Sequence, residues 1–321
     1  MQNKQSRAAN LARTLGNIHR QGSRPNIFVF ATPRSGSTWL MEFLNQQAGT
    51  KACSELFNFR REGVKSYFKT EDWGILYENP MNPLVERYIE DIYAGKSSVG
   101  FLNIFPFRHK YYRVLSDRIV FKVLHGMEDR INWIKDTFEA KVILLLRHPI
   151  AVSLSRETFP RLDIFLNSDY SRNFTPEQLK YGRHILENGS KMEKGMLSWC
   201  LQNAVPLREA NEDWVVVSFE QLNTEAARLI PILNEKLDLD TGNIDELLDQ
   251  LNRPSSSSSK SDKETQQKLK ESDPNDKTWL IEKWRSKVSV EEEQKLMEVL
   301  ELFEIDYYEA GSFVPNKKYW L

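Results

Sequence analysis

Apolar residues fall in short dense runs separated by stretches with helical spacing. The first run, Ile27-Phe28-Val29-Phe30-Ala31, is rich in β-formers and predicts a buried strand. A turn follows at Thr32-Pro33-Arg34-Ser35-Gly36. Then Trp39, Leu40, Phe43 and Leu44 recur at helical spacing within 38–47. Strand, glycine-containing turn and helix in succession open a βαβ unit. Two further strands are predicted at 119–124 and 141–146, with a helix over 128–138 between them. The run from Val142 to Leu146 is continuous, which suits the centre of a parallel sheet covered on both faces. A fourth strand at 214–219 follows a helix at about 192–211. More helices are expected at 224–236, 244–251, 279–287 and 290–303, whereas 56–95 is aromatic and charged without clean periodicity. That stretch reads as loops and short helices.

Strands alternating with helices predict a three-layer α/β/α fold with a central, mostly parallel sheet. Ligands in such folds sit at the carboxyl ends of the strands. One rim therefore collects 32–38, Leu124-His125, Arg147-His148 and Phe219-Glu220. The segment 253–277 breaks the pattern with Ser255 to Ser259, several lysines and Pro274. Too few residues follow it for an independent domain. It reads as a long polar loop inside a single domain of residues 25–321, with 1–24 as a basic N-terminal arm or helix.

Composition narrows the chemistry. Lys plus Arg total 44 and Asp plus Glu 45 in 321 residues, a net charge of -1. That excludes a nucleic-acid partner held by bulk charge, so any anion must be met locally. Hydrophobic residues at 40% exclude disorder of the whole chain. Cys53 and Cys200 cannot make a disulfide framework or a cysteine-rich zinc site, and point to a reducing compartment. No window approaches a run of about 18 apolar residues, so no transmembrane helix is expected. Residues 1–24 carry Lys4, Arg7, Arg13, Arg20 and Arg24 and no acid. They form a solvated arm or, alternatively, an organellar transit peptide. A cytoplasmic enzyme is the expectation.

The stretch Ala31-Thr32-Pro33-Arg34-Ser35-Gly36-Ser37-Thr38 has the frame of a phosphate-binding loop. Backbone N–H groups and the positive end of the next helix would bind an anion there. Ser35, Ser37 and Thr38 add hydroxyl donors. A nucleoside-triphosphate loop would have lysine where Ser37 stands, and its partner strand would end in a magnesium-binding acid. Here the cation is Arg34 and the strand Leu144-Leu145-Leu146 ends in Arg147. The site is built for anions, with no evident place for a metal.

With these residues the chain resembles the sulfotransferases that use 3′-phosphoadenosine 5′-phosphosulfate (PAPS). Their 5′-phosphosulfate loop looks like Pro33-Arg34-Ser35-Gly36-Ser37-Thr38-Trp39. Their 3′-phosphate signature, a strand-end arginine and a serine eight residues on, looks like Arg147 and Ser155. The likeness runs from about Asn26 to Phe303. It is greatest to the branch with arginine in the first loop, which includes carbohydrate, tyrosylprotein and bacterial enzymes. His148 departs from it, since many members carry an acid there.

The resemblance implies PAPS as donor and a small-molecule, carbohydrate or peptide hydroxyl, less readily an amine, as acceptor. Arg34, Ser35, Gly36, Ser37, Thr38 and Trp39 would meet the donor at the loop, with Arg147 and Ser155 at its 3′-phosphate. Phe219 would recognise adenine or be a core residue. Arg253 and Ser255 would belong to a late loop closing on the 3′-phosphate. Glu55 is the first candidate for general base, its pKa raised by Phe57 and Phe59. His125 is the second, at a spacing of three from Lys122 where the cytosolic branch has two. Lys122 would be the cation near the bridging oxygen. Two other classes stay open: a P-loop kinase or NTPase, and a nucleotide-binding module without catalysis.

Overall fold

The structure, a computed structural model, describes residues 18–94, 115–239 and 277–321, together with Leu248 and Gln267. In chain order its strands are β1 (Ile18–His19), β2 (Ile27–Ala31), β3 (Thr50–Ser54), β4 (Leu115–Ser116), β5 (Arg118–Val123), β6 (Lys141–Leu146) and β7 (Trp214–Ser218). The α-helices are α1 (Ser37–Leu44), α2 (Glu62–Phe68), α3 (Pro83–Tyr93), α4 (Ile131–Phe138), α5 (Pro149–Leu154), α6 (Leu162–Asn167), α7 (Pro176–Asn188), α8 (Lys191–Glu209), α9 (Phe219–Thr224), α10 (Ala226–Leu237), α11 (Thr278–Glu282) and α12 (Val290–Leu302).

Five strands form one parallel sheet in the order β3-β5-β2-β6-β7. Successive side chains of a strand point to opposite faces, and both faces are buried here. Phe28, Phe30, Phe121, Val142 and Leu144 enter one apolar cluster, completed by residues of α3, α8 and α12. Ile27, Val29, Val120, Ile143 and Leu145 enter the other, completed by α1 and α10. Two cores on opposite faces of one parallel sheet make the expected three-layer α/β/α fold.

Several boundaries differ from expectation. The strand β3 was not foreseen, because Thr-Lys-Ala-Cys-Ser has no apolar run, yet it pairs along β5 at the sheet edge. The fourth strand stops at Ser218, and Phe219 begins α9 instead of ending β7. The cause is a capping box: the Ser218 hydroxyl accepts from the Gln221 N–H at 3.0 Å, and Gln221 Oε1 accepts from the Ser218 N–H at 3.1 Å. The helix expected at 279–287 divides into α11 and a 3₁₀ turn, Lys283–Lys287. At the N-terminal side, residues after Ile18 are tied to the domain: β1 pairs with β4, and Arg24 donates to the Ala48 carbonyl at 2.6 Å. Residues 1–17, the helix expected at 244–251 (Leu248 aside) and the loop at 253–277 (Gln267 and Lys277 aside) lie outside the described residues.

Candidate functional site

The carboxyl ends of β2, β3, β5, β6 and β7 share one rim because all five strands run parallel. At its centre the loop between β2 and α1 makes two left-handed turns, with φ of 77° at Arg34 and 89° at Gly36. The second position needs glycine twice over. A Cβ there would be strained by the dihedral and would lie 2.5 Å from the Phe219 ring. Inside the turn, Ser35 donates from both its N–H and its hydroxyl to the Thr32 carbonyl. Gly36 caps α1 without a side-chain hydrogen bond, so no capping side chain takes up the first-turn amides.

Arg147 follows β6 and is clasped from three sides. Its guanidinium donates to the Arg34 carbonyl at 2.9 Å and lies 4.5 Å from the centroid of Phe219. Its own carbonyl accepts from the Trp199 indole N–H at 3.0 Å. Its Nε is buried with no protein partner among the described residues, which is what an arginine waiting for an anion looks like. Burial lowers its pKa, opposed by the Glu220 carboxylate. Ser155 sits just past α5 as its C-cap, its hydroxyl donating to the Ala151 and Val152 carbonyls. Phe219 is 9% exposed, with Arg147 over its face, Gly36 against its edge and Trp39 packed T-shaped at 5.8 Å. The surface expected to stack on adenine is thus mostly occupied by protein. Arg253 and Ser255 lie outside the described residues.

The departure at His148 has a structural counterpart. The buried Glu220 accepts from the His148 N–H at 3.0 Å and from the Tyr308 hydroxyl at 2.7 Å. His148 itself stacks on Trp284, with centroids 4.3 Å apart. Burial drives its pKa down to about 3. Trp284 therefore serves packing on this side.

On the other side of the loop, β3 delivers Glu55 to the rim. Ser54 is in register with Lys122, and the next residue, Glu55, turns left-handed at φ 58°. Its carboxylate lies 3.5 Å from Lys122 Nζ and 3.8 Å from Arg61, and accepts from Asn58 at 2.6 Å. Lys122 also donates to the Thr38 hydroxyl at 3.1 Å, joining the candidate base to the phosphate loop. Burial pushes the Glu55 pKa up, but Lys122, Asn58 and Arg61 outweigh it, so the net direction is down. This reverses the expected rise: Phe57 and Phe59 point into the core and do not sheathe the carboxylate. Burial likewise lowers Lys122, with Glu55 opposing.

His125 lies just past β5, its ring 5.5 Å from Trp73 and its Nδ1 buried without a protein partner. Burial and then Arg161, Arg156, Arg60 and Lys122 hold its pKa well below the usual range. It is neutral at pH 7, but a weak proton acceptor.

The residues that set this geometry and escaped the sequence reading lie mainly on α8. Besides Trp199, its Asn203 donates to the Thr32 hydroxyl at 3.1 Å, and Ser198 and Gln202 each hold Arg156 at 3.3 Å. A Cβ on Gly195 would lie 2.5 Å from Ser153, so the two helices nearly touch. The signal is the set of polar residues Ser198, Gln202 and Asn203 within one turn's reach of each other in an otherwise apolar buried stretch. Among the described residues no cluster of His, Cys, Asp and Glu could hold a metal, and no helix is long and apolar enough to cross a membrane.

A model described as the Sulfotransferase family matches residues 25–242. No curated protein matches the chain. Among solved structures, mouse sulfotransferase SULT7A1 complexed with PAP aligns over 92% of this chain and 89% of its own, at 13% identity and a TM-score of 0.43. A sulfotransferase domain from the curacin biosynthetic pathway covers 89% of this chain and 99% of its own, at 16% identity and a TM-score of 0.42. Sulfotransferase STF9 from Mycobacterium avium covers 91% and 79%, at 11% identity and a TM-score of 0.39. The family model spans well over half of the sequence and contains the phosphate loop, Glu55, Lys122 and Arg147: the chain belongs to the sulfotransferase family, whose reaction is sulfuryl transfer.

Proposed function

We infer that the protein transfers a sulfuryl group from PAPS to an acceptor hydroxyl, giving a sulfate ester and adenosine 3′,5′-bisphosphate (PAP). The observation that carries this reading is the pairing of two anion sites on one rim: the α1 amide turn, and Arg147 with its buried unpartnered Nε. Their separation into loop and strand end suits a nucleotide with phosphates at both ends. When bound, PAPS supplies an activated sulfuryl group.

The protein's part is positioning and charge. Arg34, the only strongly exposed residue of the 31–38 loop, and the amides and hydroxyls of Ser35 to Thr38 receive the 5′ end. Ser155 and Arg147 hold the 3′-phosphate, and Phe219 acts on the nucleotide through Arg147, which it supports. Arg253 and Ser255 are assigned to the same phosphate on resemblance alone.

Glu55 accepts the acceptor's hydroxyl proton as the S–O bond to the acceptor forms and the S–O bond to the donor phosphate breaks. A carboxylate held low by Lys122 is ionised but feebly basic. Its basicity rises as the Lys122 charge is drawn to the departing phosphate oxygen. The same lysine thus couples proton uptake to leaving-group departure. His125 takes a secondary place because burial, and then three arginines and Lys122, disfavour its protonated form.

The kinase alternative is disfavoured by Ser37 and Arg147 at the positions of lysine and acid. The test is incubation with ³⁵S-labelled PAPS and a panel of phenolic, sugar and peptide alcohols. Label should enter an acceptor with one PAP formed per label transferred. PAP binding with no transfer across the panel would instead favour the non-catalytic module.

A further inference from the structure

Beyond the donor site, the rim carries more positive charge than its own carboxylates balance. The positive charges of Arg161, Arg156, Arg60 and Lys122 bear on His125, Arg61 stands beside Glu55, and the carboxylates paired within this group are Glu55 and Glu128. Glu55 is taken by Lys122 and Arg61. Glu128 is taken by Arg161 at 2.5 Å, with the Tyr77 hydroxyl on its other oxygen at 2.6 Å. Arg60 and Arg156 have no carboxylate partner among the described residues.

Arg156 is the more telling of the two. It is 8% exposed, yet its hydrogen bonds among the described residues go to two neutral groups, Ser198 Oγ and Gln202 Oε1. Its guanidinium lies 4.9 Å from the centroid of Phe159. Leaving a buried cation without an opposite charge is costly, and burial with Arg161 nearby pulls its pKa to about 9. The position is fixed relative to the reacting end. Gln202 donates to the Leu124 carbonyl at 3.4 Å and Arg161 donates to it at 3.1 Å, and the next residue is His125. From the other side Trp73 touches His125 and donates to the Phe57 carbonyl at 2.9 Å, three residues before Arg60. Arg60 is exposed and its backbone N–H is held by Asn58, the residue that also bonds Glu55.

We propose that the acceptor carries an anionic group, a carboxylate or its equivalent, which Arg156 and Arg60 receive beside His125 while the acceptor hydroxyl faces Glu55. This rests on the sulfuryl-transfer reading and names its substrate class. The cations proposed for the donor are Arg34, Lys122 and Arg147, which leaves these two without an assigned anion.

The test is a pair of probes that differ only in charge, 4-hydroxyphenylacetate and 4-hydroxyphenylacetamide. Each is titrated into PAP-saturated protein while the His125 ring proton is followed by NMR. The carboxylate should bind about tenfold tighter than the amide. Arg156→Met should erase that preference, and Arg60→Gln, an exposed site that does not endanger folding, should narrow it. An amide that binds as tightly as the acid, no binding of either, or a preference that survives both substitutions overturns the proposal. A protein that cannot be saturated with PAP fails the donor reading instead. The same titration without PAP then still decides whether the arginines take an anion.

Discussion

The two halves of the rim are built differently. On the donor side the framework is held by protein: Thr32 by Asn203, the Arg147 carbonyl by Trp199, Glu220 by His148 and Tyr308, with the Arg147 Nε left open. On the acceptor side the groups are shared and unbalanced: Lys122 divides itself between Glu55 and Thr38, and Arg156 leans on neutral partners. The first half is a rigid mould for one fixed ligand. The second is a charged basin whose balance changes when substrates arrive. Substitutions on the two sides should therefore separate into effects on nucleotide affinity and effects on turnover.

The sharpest separation should come from Glu55→Gln. It removes the proposed proton acceptor while leaving the α1 turn and Arg147 intact. Turnover should fall about 10²- to 10⁴-fold, with PAP affinity, read by calorimetry, nearly unchanged. A matching loss of PAP affinity would break the division. Next comes Arg147→Met, which should weaken PAP binding about 100-fold while 5′-AMP, lacking the 3′-phosphate, is little affected. Equal losses for both nucleotides would remove Arg147 from the 3′-phosphate.

A smaller effect is expected from Trp199→Phe. It deletes one hydrogen bond to the Arg147 carbonyl, worth about 1 kcal/mol. PAP affinity should drop about fivefold with turnover at saturation preserved, a split that plain destabilisation would not produce. The last effect is one of pH, read on stability and not on the site. His148 is held neutral by burial, its pKa lowered to about 3. Unfolding frees it to bind a proton, so the unfolded state gains protons and stability falls as pH drops from about 6.5 towards 3. The slope is at most about 1.4 kcal/mol per pH unit. Denaturant melts of His148→Phe should show a flatter acid limb than wild type. Parallel limbs would mean that another group sets it.

The same contrast governs what could be read from sequence. Four strands of the sheet were legible because they are apolar runs, and the donor loop because glycine and hydroxyls cluster at a strand end. β3 was not, since its buried Thr50 and Lys51 carry no apolar signature. Its absence hid the reason Glu55 reaches the rim. The start of α9 was legible in principle: Ser218 and Gln221 have capping-box spacing, as do Thr175 with Gln178 and Ser190 with Glu193. The direction of the Glu55 pKa depends on Lys122 and Arg61, brought together by strand register and a loop. No local pattern encodes that. The cluster of Arg156, Arg161 and Glu128 likewise spans segments that meet only in the fold, through the Arg161–Glu128 ion pair and the polar residues of α8.

The donor assignment is tested most directly by one binding comparison, PAP against Mg-ATP by calorimetry on the same preparation. A site with an α1 anion turn and a 3′-phosphate arginine, and with Ser37 in place of lysine, should bind PAP at least about 100-fold more tightly than Mg-ATP. Preference for Mg-ATP, or no discrimination between the two, would contradict it.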